Sequence, residues 1–156
     1  MNKKQSRQLI TEVLNGMNIT PTDVYFEHDQ EIDMFVCSIN LGEEDTELFS
    51  ENKKRVFRDV SHIIRLLLRG VEVGQGILFD LNGVDIKHIR QTKEQAQIAA
   101  ERVVFFAKDY EFGYLNSYDR MITHSFLKLY PGVITVSDGE GADRRLTVKK
   151  DNKKTT

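Results

Sequence analysis

The stretch SYDRMITHSFLKLY, residues 117–130, sets Arg120 four residues ahead of His124 in a run free of Gly and Pro. At about 100° per residue, Tyr118, Ile122, Phe126 and Leu129 gather on one side of a helix, while Arg120 and His124 fall on the other. Leu115 extends the apolar side upstream, Asn116 is the expected N-cap, and Asp119 suits the positive first turn. The spacing predicts a helix over 117–129 that turns its Arg and His out of the core.

Downstream, GVITVSDGEGADRRLTVKK (132–150) reads as two strands around a Gly-containing loop. Arg144 and Arg145 are adjacent, so a strand sends them to opposite sheet faces. Leu146 and Val148 share the face of Arg144, whereas Arg145, Thr147 and Lys149 alternate as a polar face. Arg145 and Lys149 are therefore the expected neighbours of Arg120 and His124, with Arg144 and Lys128 as further candidates.

Upstream, residues 86–109 lack Gly and Pro, and Ala96, Ala99, Ala100, Val103 and Ala107 form a stripe of mostly small residues that predicts a helix packed closely on a sheet. VEVGQGILFDLNG (71–83) reads as a strand or hairpin with Ile77, Phe79 and Leu81 on one face. Between 51 and 69, Val56, Phe57, Val60, Ile63, Ile64, Leu67 and Leu68 recur at helical spacing, and Gly70 ends the run. DMFVCSINL (33–41) puts Phe35, Cys37, Ile39 and Leu41 on one face of a half-buried strand, closed by Gly42 and the acidic EEDTE. PTDVYFE (21–27) is a further strand, and residues 3–15 form a short helix.

Arg120 and His124 match the signature of the R-three-H domain, an Arg and a His separated by three residues. The surrounding residues resemble bacterial Jag-type proteins, in which a KH domain precedes the R-three-H domain. Those proteins open the helix with Asn-Pro-Tyr-acidic-Arg, and this chain has NSYDR (116–120). They close with a Ser-acidic-Gly-rich loop, an acidic-Arg-Arg triplet and an apolar strand, here SDGEGADRRLTV (137–148). LFDLNG ahead of a long helix also resembles their Gly-marked start of the second domain. The resemblance implies an α+β protein: an N-terminal helix or extension (1–20), a KH-like half (21–83), an R-three-H domain of two helices on a small mixed or antiparallel sheet (84–150), and a basic tail (151–156).

The chain departs from that pattern in places. No glycine occurs from 43 to 69, so the GxxG loop that lets a KH backbone approach nucleic acid is lost. Lys53, Lys54 and Arg55 stand near that point as weaker loop candidates. Ser117 replaces the proline, Met121 stands where a second Arg often follows the first, and Lys87, His88 and Arg90 replace the usual arginines after the Gly.

The resemblance implies binding of single-stranded nucleic acid, RNA ahead of DNA with DNA still open, without a cofactor. An Arg fork matches phosphate oxygens or stacks on a base, and His donates or stacks likewise. The charge distribution agrees: residues 113–156 hold eight Lys or Arg against five Asp or Glu, and residues 1–112 hold fourteen against nineteen. An alternative is a scaffold that binds a basic protein partner through the acidic first half. A phosphodiesterase is a second alternative, but His28, His62 and His88 have no ligand spacing, and no acidic pair shares the face of Arg120 and His124. No catalytic or metal-ligating residue is assigned. The longest apolar runs, such as VVFF (103–106), fall far short of the ~20 residues of a membrane span. One cysteine, Cys37, excludes an internal disulfide and fits a reducing, cytoplasmic setting.

Overall fold

A computed structural model describes residues 3–48, 53–68 and 76–151, with the side chains of 47–48 and 53–54 outside the description. Thus the side chains of Lys53 and Lys54, segment 71–75 of the expected hairpin and the tail from 152 lie outside the description. The architecture is α+β, and the chain divides into two compact units: Met1–Gln30 with Met34–Ile86, and Glu31–Asp33 with Lys87–Thr156.

The first unit holds α1 (Lys3–Gly16), β1 (Pro21–Asp29), β2 (Met34–Leu41), α2 (Glu43–Leu48), α3 (Lys53–Leu67) and β3 (Ile77–Leu81). Its sheet has the order β1-β2-β3, antiparallel between β1 and β2 and parallel between β2 and β3. Ile10 and Leu14 of α1 and Val60 and Ile64 of α3 pack with Val24, Cys37, Ile39 and Phe79 into one core. Val36 and Ser38 are buried as well, so β2 is covered on both faces, as suits a middle strand, and is not half-buried as its alternation suggests. The EEDTE segment that closes β2 starts a helix: Glu43, Glu44 and Asp45 fill the first turn of α2, where carboxylates meet the positive helix end. After β3, the buried Asp80 carboxylate accepts from the amides of Gly83 (3.0 Å) and Ile86 (2.9 Å), which starts the long helix α4 (Val84–Phe106).

From Lys87 onward α4 belongs to the second unit, followed by β4 (Tyr110–Glu111), α5 (Ser117–Leu129), β5 (Val133–Asp138), a 3-10 turn (Gly141–Asp143) and β6 (Arg145–Lys150). The antiparallel sheet runs β4-β6-β5. Ala96, Ala99, Ala100 and Val103 pack with Phe112, Leu127, Val133, Leu146 and Val148 in the core of this unit. Each fully buried side chain such as Leu127 is worth roughly 1.5–3 kcal/mol. Ala107 does not continue the stripe: it is exposed at φ 53°, and α4 ends at Phe106. The two-residue β4 is too short to carry a periodic signal.

Helix α5 has the expected bounds, with Asn116 as N-cap accepting from the amides of Tyr118 and Asp119, both at 2.9 Å. Its buried side is rotated from the expected one. Ile122, Thr123 and Leu127 are buried, whereas Leu129 is 54% exposed. The real axis of burial is thus about one residue off the axis through Tyr118, Ile122 and Leu129, and this rotation carries His124 toward β5.

Candidate functional site

The rotated face of α5 brings His124 against the sheet. Its Nδ1 lies 2.6 Å from the Thr135 hydroxyl on β5, and this contact aims the ring while leaving the residue exposed. One turn earlier, Arg120 is half-buried and bent toward the helix start. Its Nη1 donates to the Leu115 carbonyl at 3.2 Å and its Nη2 to the Ser117 hydroxyl at 3.3 Å. Two donors of the fork are committed and the rest stay available, so the guanidinium is held in one orientation without being consumed. Lys128, exposed one turn beyond His124, extends the row, since residues four apart stack along one helix flank.

The first turn that carries Arg120 is itself braced. Asn116 Nδ2 donates to Asp119 Oδ2 at 2.6 Å, and Asp119 Oδ1 takes His88 Nε2 of α4 at 2.6 Å. The His88 ring also stacks near Tyr118, 6.3 Å between centroids. His88 therefore does not stand in for a missing arginine; it ties α4 to the start of α5. Lys87 and Arg90 remain exposed on α4. Asp119, the carboxylate next to Arg120, is held by His88 and Asn116, not by the arginine.

The β5–β6 register decides which arginine joins this site. Thr135 pairs with Val148 and Ser137 with Leu146, on the face that packs against the helices, whereas Ile134 pairs with Lys149 and Asp138 with Arg145 on the other. Arg144 keeps to the helix side: its Nε donates to the Ser137 hydroxyl at 2.9 Å. Thr135 and Ser137 are two residues apart, so the side chains they hold, His124 and Arg144, stand about 7 Å apart along the strand. Arg145 instead donates to the Ala142 carbonyl (2.7 Å), and Lys149 faces Asp109 at 3.6 Å. The expectation that Arg145 and Lys149 border Arg120 and His124 is corrected accordingly; alternation places the two arginines on opposite faces, and the register selects Arg144.

Gly139, at φ +88°, makes this turn possible, because a Cβ there would lie 2.9 Å from the Asp143 carbonyl oxygen. A side chain would displace the loop that delivers Arg144. Thr135 and Ser137 were beyond reach from the sequence, since their role lies in contacts 11 and 7 residues away along the chain.

Arg55 is exposed on α3, in the first unit. Cys37 is buried in the first unit, and burial, helped by the nearby Asp80 charge, pushes its thiol up to about 12, far from a nucleophile's range. Among the described residues there is no group of three or more His, Cys, Asp or Glu able to hold a metal, and no helix long and apolar enough to cross a membrane.

No curated protein matches the chain at a significant level. Residues 90–150, the span that holds Arg120, His124, Lys128, Arg144, Arg145 and Lys149, match the family model of the R-three-H domain. An R-three-H domain is thus detected in the second unit, a kind of domain that generally binds single-stranded RNA or DNA.

Proposed function

We propose that this protein binds single-stranded nucleic acid, RNA in preference to DNA, along the flank of α5 that carries Arg120, His124 and Lys128, with Arg144 continuing the path on the sheet. The observation that carries the reading is the anchoring of the two signature side chains: Arg120 by Leu115 and Ser117, and His124 by Thr135. Cations one helical turn apart, about 6 Å at 1.5 Å per residue, are spaced to follow successive phosphates of one strand. The flank residues of α5 include no Phe, Tyr or Trp, so base preference is modest and binding is governed by phosphate. The reading is one of binding without catalysis, as the adjacent carboxylate of Asp119 is already engaged by His88 and Asn116.

In the first unit, the order helix, strand, strand, helix, helix, strand supports a KH-like reading and a Jag-type pairing of domains. The position of the KH loop falls between α2 and α3, where the sequence FSEN (49–52) has no glycine. The second unit is therefore assigned the main contact with RNA, in the cytoplasm.

The test is a fluorescence anisotropy titration of a short unstructured RNA, and of the same sequence as DNA, at low salt. The expected result is tighter RNA binding, with a log affinity slope against log salt of about −0.7 per contacted phosphate. Arg120→Ala combined with His124→Ala is expected to weaken binding tenfold or more while circular dichroism stays unchanged. Equal binding by the double variant removes α5 as the interface.

A further inference from the structure

The two sheets treat their edges differently. β1, at one edge of the first sheet, starts at Pro21, has a register shift between Pro21 and Asp23, and carries Asp23, Glu27 and Asp29. Such features discourage another strand from pairing there. β5, at the edge of the second sheet, has none of them before its final residue, Asp138. Its six residues pair with β6 in unbroken register and include no proline or lysine. Among the described residues, no backbone hydrogen bond joins 133–138 to anything outside the sheet. On its outer face, Ile134 and Val136 are 46% and 44% exposed.

A strand added along β5 meets two different surfaces. Alternate side chains lie against Ile134 and Val136, and the intervening ones face the side of Thr135 and Ser137, where His124, Arg144 and the α5 flank stand. A second copy of this chain is a poor occupant, because β5-to-β5 pairing would bring two cationic α5 flanks together. Nucleic acid leaves the strand's amides and the aliphatic pair unused. We propose that the β5 edge docks an extended segment of another protein in which acidic and apolar residues alternate. Main-chain pairing supplies affinity, the apolar residues cover Ile134 and Val136, and the carboxylates meet His124, Lys128 and Arg144. Because the cations are shared, such a segment excludes nucleic acid from the α5 flank. The docking itself does not depend on the nucleic-acid reading.

The experiment titrates the full chain, with no nucleic acid present, into a labelled octapeptide of alternating Glu and Val at low salt. A peptide of four Glu followed by four Val, and two forms of the alternating peptide N-methylated at all Val or at all Glu, are run beside it. Successive residues of a strand aim their N–H groups to opposite sides, so edge pairing predicts that one methylated form loses binding tenfold or more and the other keeps it. The block peptide is expected to bind at least tenfold more weakly. Ile134→Thr with Val136→Thr, exposed positions that keep β-branched side chains, is expected to lower affinity about fivefold. The proposal is overturned if the alternating peptide fails to bind, if both methylated forms bind equally, or if the double threonine variant binds as the parent does. It is equally overturned if the threonine variant weakens RNA while the peptide never binds, for the edge would then belong to the nucleic-acid surface.

Discussion

On α3, Arg58 reaches, among the described residues, only its neighbour Asp59, at 3.7 Å, and both side chains are mostly exposed. On α5, Arg120 is fastened to a carbonyl and a hydroxyl, and His124 to a hydroxyl on the facing strand. Arg65 of α3 is also fastened, to the Ile77 carbonyl at 3.2 Å and over the Phe79 ring, but Arg58 is not, whereas both signature side chains of α5 are held before a ligand arrives. Immobilising a flexible side chain on binding costs about 0.5–1.5 kcal/mol. Two side chains already fixed therefore favour α5 by roughly 1–3 kcal/mol, or about 5- to 150-fold, before any contact is counted. Charge count alone would rank α3, with five Lys or Arg, above α5, with two; the anchoring of Arg120 and His124 argues the reverse order.

The sharpest way to break this comparison is charge reversal on each helix. Arg120→Glu is expected to lower affinity for a short RNA by about 30-fold or more, since it removes a charge-assisted contact worth roughly 1.5–3 kcal/mol and adds repulsion. Arg58→Glu is expected to cost less than threefold. Anisotropy titrations of both variants at one salt concentration decide the matter; comparable losses would mean that anchoring plays no part.

Asn116→Ala comes next. It removes the acceptor of two amides and a donor to Asp119, at a cost of about 0.5–2 kcal/mol in folding free energy. The first turn of α5 then frays, Arg120 loses its fixed platform, and RNA affinity is expected to fall about fivefold. Urea unfolding and anisotropy measured on the same sample check both effects. A stability loss with no change in affinity would show that the cap supports the helix but not the arginine.

These residues also mark the limits of sequence reading. The cap, the bounds of α5 and the outward direction of Arg120 and His124 were legible because they follow from local spacing. The rotation that exposes Leu129 and buries Thr123 was not, since it depends on how α5 lies against α4 and the sheet. Nor was the choice between Arg144 and Arg145, because alternation separates the two but only the β5–β6 register says which faces the helices. In the first unit, α3 declared itself by its period, whereas the six residues of α2 are too few to show one, and EEDTE reads only as the end of a strand.

Thr135→Val probes the subtler anchor. The substitution keeps the β-branched shape of the strand but deletes the hydroxyl at His124 Nδ1. RNA affinity is expected to drop about threefold, and Thr135→Ser is expected to restore it. The nitrogen chemical shifts of the His124 ring provide a second readout, as they report which nitrogen carries the proton. A role of Thr135 in strand packing alone would leave those shifts unmoved.

The smallest effect is expected from Arg55→Ala with Arg58→Ala on α3. Both side chains are exposed, and the ion pair of Arg58 with Asp59 joins sequence neighbours in water, where such pairs contribute about 0–1 kcal/mol. Their removal subtracts diffuse attraction only, so affinity should change by less than twofold and the salt slope should hardly move. A tenfold loss with a slope shallower by about 0.7 would mean that α3 contacts a phosphate directly. In that case the loop-less first unit binds RNA through its basic helix, and anchoring on α5 marks one of two contact surfaces. A null result leaves the strand to the helix that holds its cations still.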